Sequence, residues 1–323
     1  MTTLILDRAG LALKPDGKAL ALYENGSRVR ALPLRLIDRI VIVGDVDLST
    51  RVLTMVAEAG TAVVLLSRRH ARRVATLVGP RHNDARIRFG QWAAAQDPAV
   101  ALAVARAFVR TKLKAQRRLL RQLLAARPDA RKPLFDGLQS VAGALDQLPK
   151  ATSLESMRGV EGAAARAHFA ALAAVFPPAL GFAGRNRRPP RDPVNAVLSL
   201  AYTMLHHEAV AAAHAAGLDP QVGYLHGISF GRESLAADLI EPLRAQADGL
   251  VWGLFRDRSL REEHFARDGD ACLLGKAGRE HFFPAWEAFV RPPRRQLRRM
   301  ARTLASRLTI PDSLEDTWTD ESF

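Results

Sequence analysis

The chain has 323 residues, about two ordinary domains' worth, and 48% of them are apolar, enough to bury a sizeable core. Its 47 Lys+Arg against 33 Asp+Glu leave a formal charge of +14, which favours phosphate-rich partners through counterion release. A single cysteine, Cys272, excludes an intramolecular disulfide framework and a thiolate metal cluster. The start MTTLILDRAG lacks the pattern of a signal peptide and no apolar run is long enough for a membrane helix, so a cytoplasmic protein without a membrane span is expected.

Residues 1–78 read as a strand-rich domain. Thr3–Leu6 and Leu11–Leu13 are short apolar runs, the second followed by a Pro15-Asp16-Gly17 turn signal. Ala19–Tyr23 and Ser27–Leu32 flank Asn25-Gly26, a strong hairpin signal. Arg28 and Arg30 alternate with Val29 and Ala31, which predicts charge on one face and apolar side chains on the other. Ile40–Val43 and Thr61–Leu66 are β-branched runs, and Val52–Ala59 between them reads as a short helix closed by Gly60. The boundary is placed near Gly79-Pro80, with 79–90 as a linker.

Beyond it the apolar period switches to 3.6, and 91–310 reads as an all-α domain. Residues 98–126 make a long helix with a basic stripe of Arg106, Arg110, Lys114, Arg117 and Arg121. Thr152–Glu155 fits a capping box. Asp192-Pro193 opens a helix running to Gly217, and another follows over Ser234–Asp248. A last helix over 291–308 carries Arg294 and Arg298 on its basic flank. The tail 311–323 is acidic and predicted to be disordered. The fold class expected is therefore α+β, a small β-rich domain followed by a larger helical one.

Familiar motifs fail. His207-Glu208 has Ala211 where a zincin needs its second histidine. Gly275-Lys276 lacks P-loop spacing, and no GxSxG elbow occurs. Three other segments gain meaning jointly: Glu161 among small residues, His226 in a glycine-flanked turn, and Asp238 with Glu241 at i and i+3 on one helix face. Singly, each reads as a solvated, capping or hydrogen-bonded group. Together, carboxylates with one imidazole and no thiol form a hard donor set suited to Mg²⁺ or Mn²⁺. In a basic protein such an ion has a task on phosphodiesters. Arg185, Arg187, Arg188 and Arg191, in a proline-rich loop before Asp192, are predicted phosphate contacts, with Arg294 and Arg298 as further DNA-binding candidates.

The segments RGVEG (158–162), RNRRPPRDPVNAVLSLAYTML (185–205), GLDPQVGYLHG (217–227) and SLAADLIEPLR (234–244) closely resemble the CRISPR-associated protein one family. IDRIVIVG (37–44), RHNDARIRFGQ (81–91) and GKAGREHFF (275–283) extend the likeness in the family's order up to about residue 305. The resemblance implies a β-rich domain, used for dimerisation and partner contacts, ahead of a helical catalytic domain. It places the family's metal ligands on Glu161, His226 and Glu241, with Asp238 as a supporting catalytic acid. The activity implied is spacer integration, in which a 3′-hydroxyl of spacer DNA attacks a repeat phosphodiester, with DNA cleavage when water replaces that hydroxyl. The partners implied are double-stranded and spacer DNA, a second copy of the chain, and CRISPR-associated protein two. A helical DNA-binding protein without catalysis, a metal-dependent nuclease that does not integrate, and a hydrolase of small phosphoesters are the competing readings.

Overall fold

The computed structural model describes residues 2–66, 73–77, 82, 84–186 and 189–308. Arg187, Arg188, residues 79–81 and 83 of the expected 79–90 linker, and the acidic tail 311–323 therefore lie outside the described residues, while residues 85–90 of that linker are helical.

The first part is built from two sheets. Strands β1 (Thr2–Leu6), β2 (Leu11–Asp16), β3 (Ala19–Glu24), β4 (Ser27–Pro33), β5 (Ile37–Val43) and β6 (Asp47–Leu48) are followed by helix α1 (Thr50–Glu58), then β7 (Ala62–Leu66) and β8 (Arg73–Leu77). One sheet has the order β4-β3-β2-β6 and the other β1-β5-β7-β8, with β1, β5 and β7 parallel. The Asn25-Gly26 turn joins β3 to β4 with positive φ at both residues, as a tight hairpin requires. Strand β4 differs from expectation. It lies at the sheet edge and both its faces are exposed, Val29 at 53%, so alternation there marks no buried side.

Period-two alternation in the second sheet serves two cores. Ile40, Ile42 and Val63 join Leu4, Leu6, Leu13, Leu20, Val52 and Val56 in a small core between the sheets and α1. Their neighbours Val41, Val64 and Leu66 turn the other way and join the large helical core. The sheet is thus fixed on both faces, and β5 reaches the helices directly.

The helical part comprises α2 (Ala85–Gln96), α3 (Pro98–Ala126), α4 (Arg131–Gln147), α5 (Leu154–Ala173), α6 (Pro193–Ala215) and α7 (Ser234–Arg256), then a hairpin of β9 (Phe265–Asp268) and β10 (Ala271–Leu274), and α8 (Lys276–Leu308). The hairpin corrects the expectation of a wholly helical region. Helix α5 is capped one residue later than expected, by Ser153, whose Oγ accepts from Ser156 N at 3.1 Å while Ser156 Oγ accepts from Ser153 N at 3.2 Å. Helix α7 runs past Gly249 and Gly253 because Val251, Trp252, Leu254 and Phe255 still have a core to enter. Helix α8 begins fifteen residues before the expected 291. Three internal prolines each remove a backbone donor. Burial of Phe282, Trp286, Val290, Leu297, Ala301 and Leu304 in one stripe outweighs that loss. No described helix is long and apolar enough to cross a membrane.

Candidate active site

Helix α3 lies against α4, α5 and α7, and its buried face follows Ala105, Val109, Lys112, Gln116, Leu119 and Leu123. Lys112 is thus a lysine at a core position, 8% exposed at the side chain. Its ammonium is held between two carboxylates. Glu161 Oε1 from α5 takes it as a hydrogen bond, and Glu241 Oε2 from α7 lies 2.5 Å away. Oε2 of Glu241 and the ammonium form a close buried ion pair, so the one cation engages both carboxylates. Two carboxylates eighty residues apart in sequence therefore meet on one cation.

The histidine is set by a different carboxylate. Asp238, fully buried, accepts from the backbone N–H of Tyr224 (2.7 Å), Leu225 (3.0 Å) and His226 (3.0 Å), and receives Nδ1 of His226 at 2.6 Å. A carboxylate acceptor makes Nδ1 the donor, which leaves Nε2 with the lone pair. Gly223 is required here by space, since a Cβ would lie 2.7–2.9 Å from Ser234 and from Asp238 Oδ2. The loop is tied elsewhere as well. Arg158, one turn before Glu161, donates to the Leu225 carbonyl from Nε (2.8 Å) and Nη2 (2.6 Å). Gln91 Nε2 donates to the carbonyls of Asp219 (2.9 Å) and Val222 (2.8 Å), and Ser234 Oγ donates to that of Gly227 (2.9 Å).

The site opens on one side. Asp238 and Glu241 are buried, whereas the side chains of Glu161 and His226 are 21% and 33% exposed. Beside His226 the loop carries Ile228 exposed and Phe230 fully out in solvent. Behind the site, Arg244 Nε donates to Glu241 Oε1 at 2.8 Å and stacks over Tyr202, whose hydroxyl donates to Asp248; Asp248 also meets His168 Nε2 at 2.9 Å. Burial alone would raise the Glu241 carboxyl, but Arg244 and Lys112 hold it down at about 2. Burial opposes the charge on Lys112 too, yet Glu241 and Glu161 raise it above its ordinary value.

Among the described residues no three of His, Cys, Asp or Glu are gathered closely enough to hold an ion. The donor chemistry nonetheless fits a hard divalent cation: two carboxylates already grip a cationic stand-in, and the imidazole that acts on Glu241 is oriented by a carboxylate of the same helix.

The arginines expected on DNA divide. Arg185 donates to Asn195 Oδ1 (2.7 Å) and Ser199 Oγ (2.9 Å) and lies over Tyr202, so its charge knits the loop to α6 instead of facing outward. Arg294 is buried and bidentate on Glu208, Nε to Oε2 at 2.9 Å and Nη2 to Oε1 at 2.7 Å. Arg191 and Arg298 are exposed. In the stripe on α3, Arg106 is drawn in by the Ala151 carbonyl at 2.8 Å, while Arg110, Lys114 and Arg121 are exposed. Lys112 was missed because a lysine invites a surface reading; its place on the 105-109-112-116 face was the available signal. The clamps made by Arg158 and Gln91 had no local signal.

The family profile described as CRISPR associated protein Cas1 matches residues 4–288. A CRISPR-associated endonuclease Cas1 of Thermodesulfovibrio yellowstonii is 34% identical over 302 residues, which cover 91% of this chain and 93% of that one. Among solved structures, a Cas1 protein from Thermotoga maritima matches with TM-score 0.82 at 21% identity, covering 95% of this chain and 97% of that one. A casposase bound to integration product matches with TM-score 0.82 at 22% identity, covering 100% and 97%. The two structures establish the fold. The chain belongs to the CRISPR-associated Cas1 family, and it is an enzyme of the endonuclease class.

Proposed function

We propose that the chain is the integrase of CRISPR spacer acquisition, joining a 3′-hydroxyl of spacer DNA to a phosphodiester at the edge of a repeat by a divalent-metal-dependent transesterification. The observation that carries this reading is the meeting of Glu161 and Glu241 on one cation beside an imidazole oriented by a buried carboxylate.

Glu161, Glu241 and Nε2 of His226 would hold Mg²⁺ or Mn²⁺, displacing the Lys112 ammonium from between the carboxylates. Such an ion, when bound, supplies charge stabilisation to a phosphodiester and to its entering and leaving oxygens. Asp238 positions: by taking the proton of Nδ1 it fixes the ring's tautomer and plane. Arg244 holds Glu241 ionised and fixed from the side away from Lys112. Arg158 and Gln91 hold the His226 loop so that these groups keep their relation. One phosphorus–oxygen bond forms to the entering 3′-oxygen as another breaks, and the proton passes to the departing 3′-oxygen, so no nucleoside triphosphate is consumed. Water in place of the entering hydroxyl gives cleavage from the same groups. Exposed Arg191 would contact the DNA backbone, with Arg187 and Arg188 from the same loop. The partners of this reading are spacer and double-stranded DNA, a second copy of the chain, and CRISPR-associated protein two.

Labelled spacer DNA, supercoiled target, Mn²⁺ and the partner protein make the test. Strand joining is expected, lost when the 3′ end is blocked. Glu161→Ala and His226→Ala are expected to reduce joining by about a thousandfold, the several kcal/mol such a site supplies, while DNA affinity stays within a few-fold. Equal loss of joining and affinity would contradict the assignment. Cleavage without joining on an unblocked end would reduce the protein to a nuclease.

A further inference from the structure

Away from those residues, a cavity of about 230 Å³ lies where the β1-β5-β7-β8 sheet meets α6 and α8. Small residues create it: Gly60 and Ala62 on one wall, Ala211, Ala212, Ala215 and Ala216 on the other. Gly60 has φ +69°, and a Cβ there would meet nothing within 4 Å. Four arginines line the same space, Arg39, Arg294, Arg298 and Arg302, against the single lining carboxylate of Glu208.

That carboxylate is fully committed. Oε1 takes Arg39 Nη1 at 2.8 Å and Arg294 Nη2 at 2.7 Å, and Oε2 takes Arg294 Nε at 2.9 Å. Glu287 also acts on Arg39 but does not line the cavity. Arg39 is 4% exposed, and its Nε is buried with no hydrogen-bond partner. A buried guanidinium nitrogen left unpaired is costly, and an acceptor is what the cavity lacks. Arg298 and Arg302 are exposed at its mouth and form no ion pair among the described residues. The negative end of α6 does not oppose an anion strongly, because its last carbonyls are taken: Ala212 O and Ala213 O by Ala216 N, His214 O by Gly217 N.

We propose that this cavity is a phosphate oxyanion site, with Arg39 Nε and the guanidinium groups of Arg298 and Arg302 as its donors. Guanidinium forks match tetrahedral oxyanions better than any neutral ligand of this size. The phosphate can be free or belong to a nucleic-acid backbone. Because the site joins β5 to α6 and α8, its occupation locks the sheet against the helices.

The test uses the full chain in a chloride buffer of constant ionic strength. Orthophosphate and pyrophosphate are titrated while the melting temperature is followed, beside a nonspecific DNA duplex whose affinity is measured against salt. Three variants accompany the wild type: Arg302→Ala, and Ala215→Glu with Ala215→Gln as its control, both positions being exposed. For a free anion, wild type is expected to gain about 2–5 °C at tenfold over Kd, Arg302→Ala to lose most of that gain, and Ala215→Glu to lose it where Ala215→Gln keeps it. For a backbone phosphate, neither free anion acts, but the salt slope of duplex binding falls by about one in Arg302→Ala and Ala215→Glu and not in Ala215→Gln. Identical responses of wild type and all variants to both probes would overturn the site.

Discussion

Two buried charge clusters in this molecule are opposites. In one, the Lys112 ammonium of α3 sits between carboxylates from α5 and α7. In the other, the Glu208 carboxylate of α6 sits between guanidinium groups from β5 and α8. Each ties three elements together, and each is unevenly balanced. Within the triad two acids face one ammonium and hold its proton more firmly than usual despite burial, while Arg244 on the other oxygen of Glu241 balances the wider cluster. One acid shared by two arginines leaves Arg39 below its ordinary value, because burial and Arg294 together exceed what Glu208 returns. The same interior thus presents one position suited to an added cation and one suited to an added anion. Chemistry on a polyanion needs both, kept on separate elements.

The largest expected effects come from breaking each triad at its centre. Lys112→Met leaves Glu161 and Glu241 facing one another, and Glu208→Gln leaves Arg39 and Arg294 likewise. Removing the central charge of a buried group costs about 3 kcal/mol, or roughly 5–10 °C in melting temperature for a chain of this size. The comparison sharpens in the rescue. Mn²⁺ is expected to stabilise Lys112→Met more than it stabilises wild type, and Glu208→Gln no more than wild type; phosphate is expected to do the reverse. Scanning calorimetry of both variants with both ions reads the whole square. Rescue of both by the same ion would mean that the clusters differ only in the signs of their residues, not in what they bind.

How much of this was legible in the sequence depends on whether the signal was local. The Asn25-Gly26 hairpin, the Asp192 cap with Pro193, and the apolar period of α3 are set by neighbours in sequence, and the structure contains all three. The resemblance singled out Glu161, His226, Asp238 and Glu241, and these are the residues found near Lys112 and in the His226 loop. What stayed hidden were long-range ion pairs. Arg294 looks like any arginine on a basic flank until Glu208, 86 residues away, takes it. Glu208 itself stood in a failed zincin motif, and only tertiary contact gave it a role. Helix α8 was expected only from 291, because the core that Phe282 and Trp286 enter is contributed by elements distant in sequence.

A smaller effect tests the charge state of Glu241. Its folded-state value near 2 lies below the ordinary 4.5 of a glutamate. The depressed group therefore contributes stability that is fully present above about pH 4.5 and is lost as pH falls towards 2. Wild type is expected to lose stability across that window more steeply than Glu241→Gln, measured by urea midpoints at successive pH values without added metal. The difference between the two proteins should narrow as pH falls. Parallel curves would mean that Arg244 and Lys112 do not hold the carboxyl ionised.

The smallest effect concerns charge outside either cluster. The proline-rich loop was expected to touch phosphate as a group, but its arginines have separated in role. Arg185 is bound to Asn195, Ser199 and the Tyr202 ring, so Arg185→Ala is expected to loosen the start of α6 and lower the melting temperature. Among the described residues Arg191 lends its backbone N–H to Asn186 Oδ1, and its side chain is exposed. Arg191→Ala is therefore expected to leave stability unchanged and to lower the salt slope of DNA binding by about one. A fall in stability with an unchanged slope would put Arg191 among the residues that hold the loop, and the loop's contact with DNA would then rest on its neighbours alone.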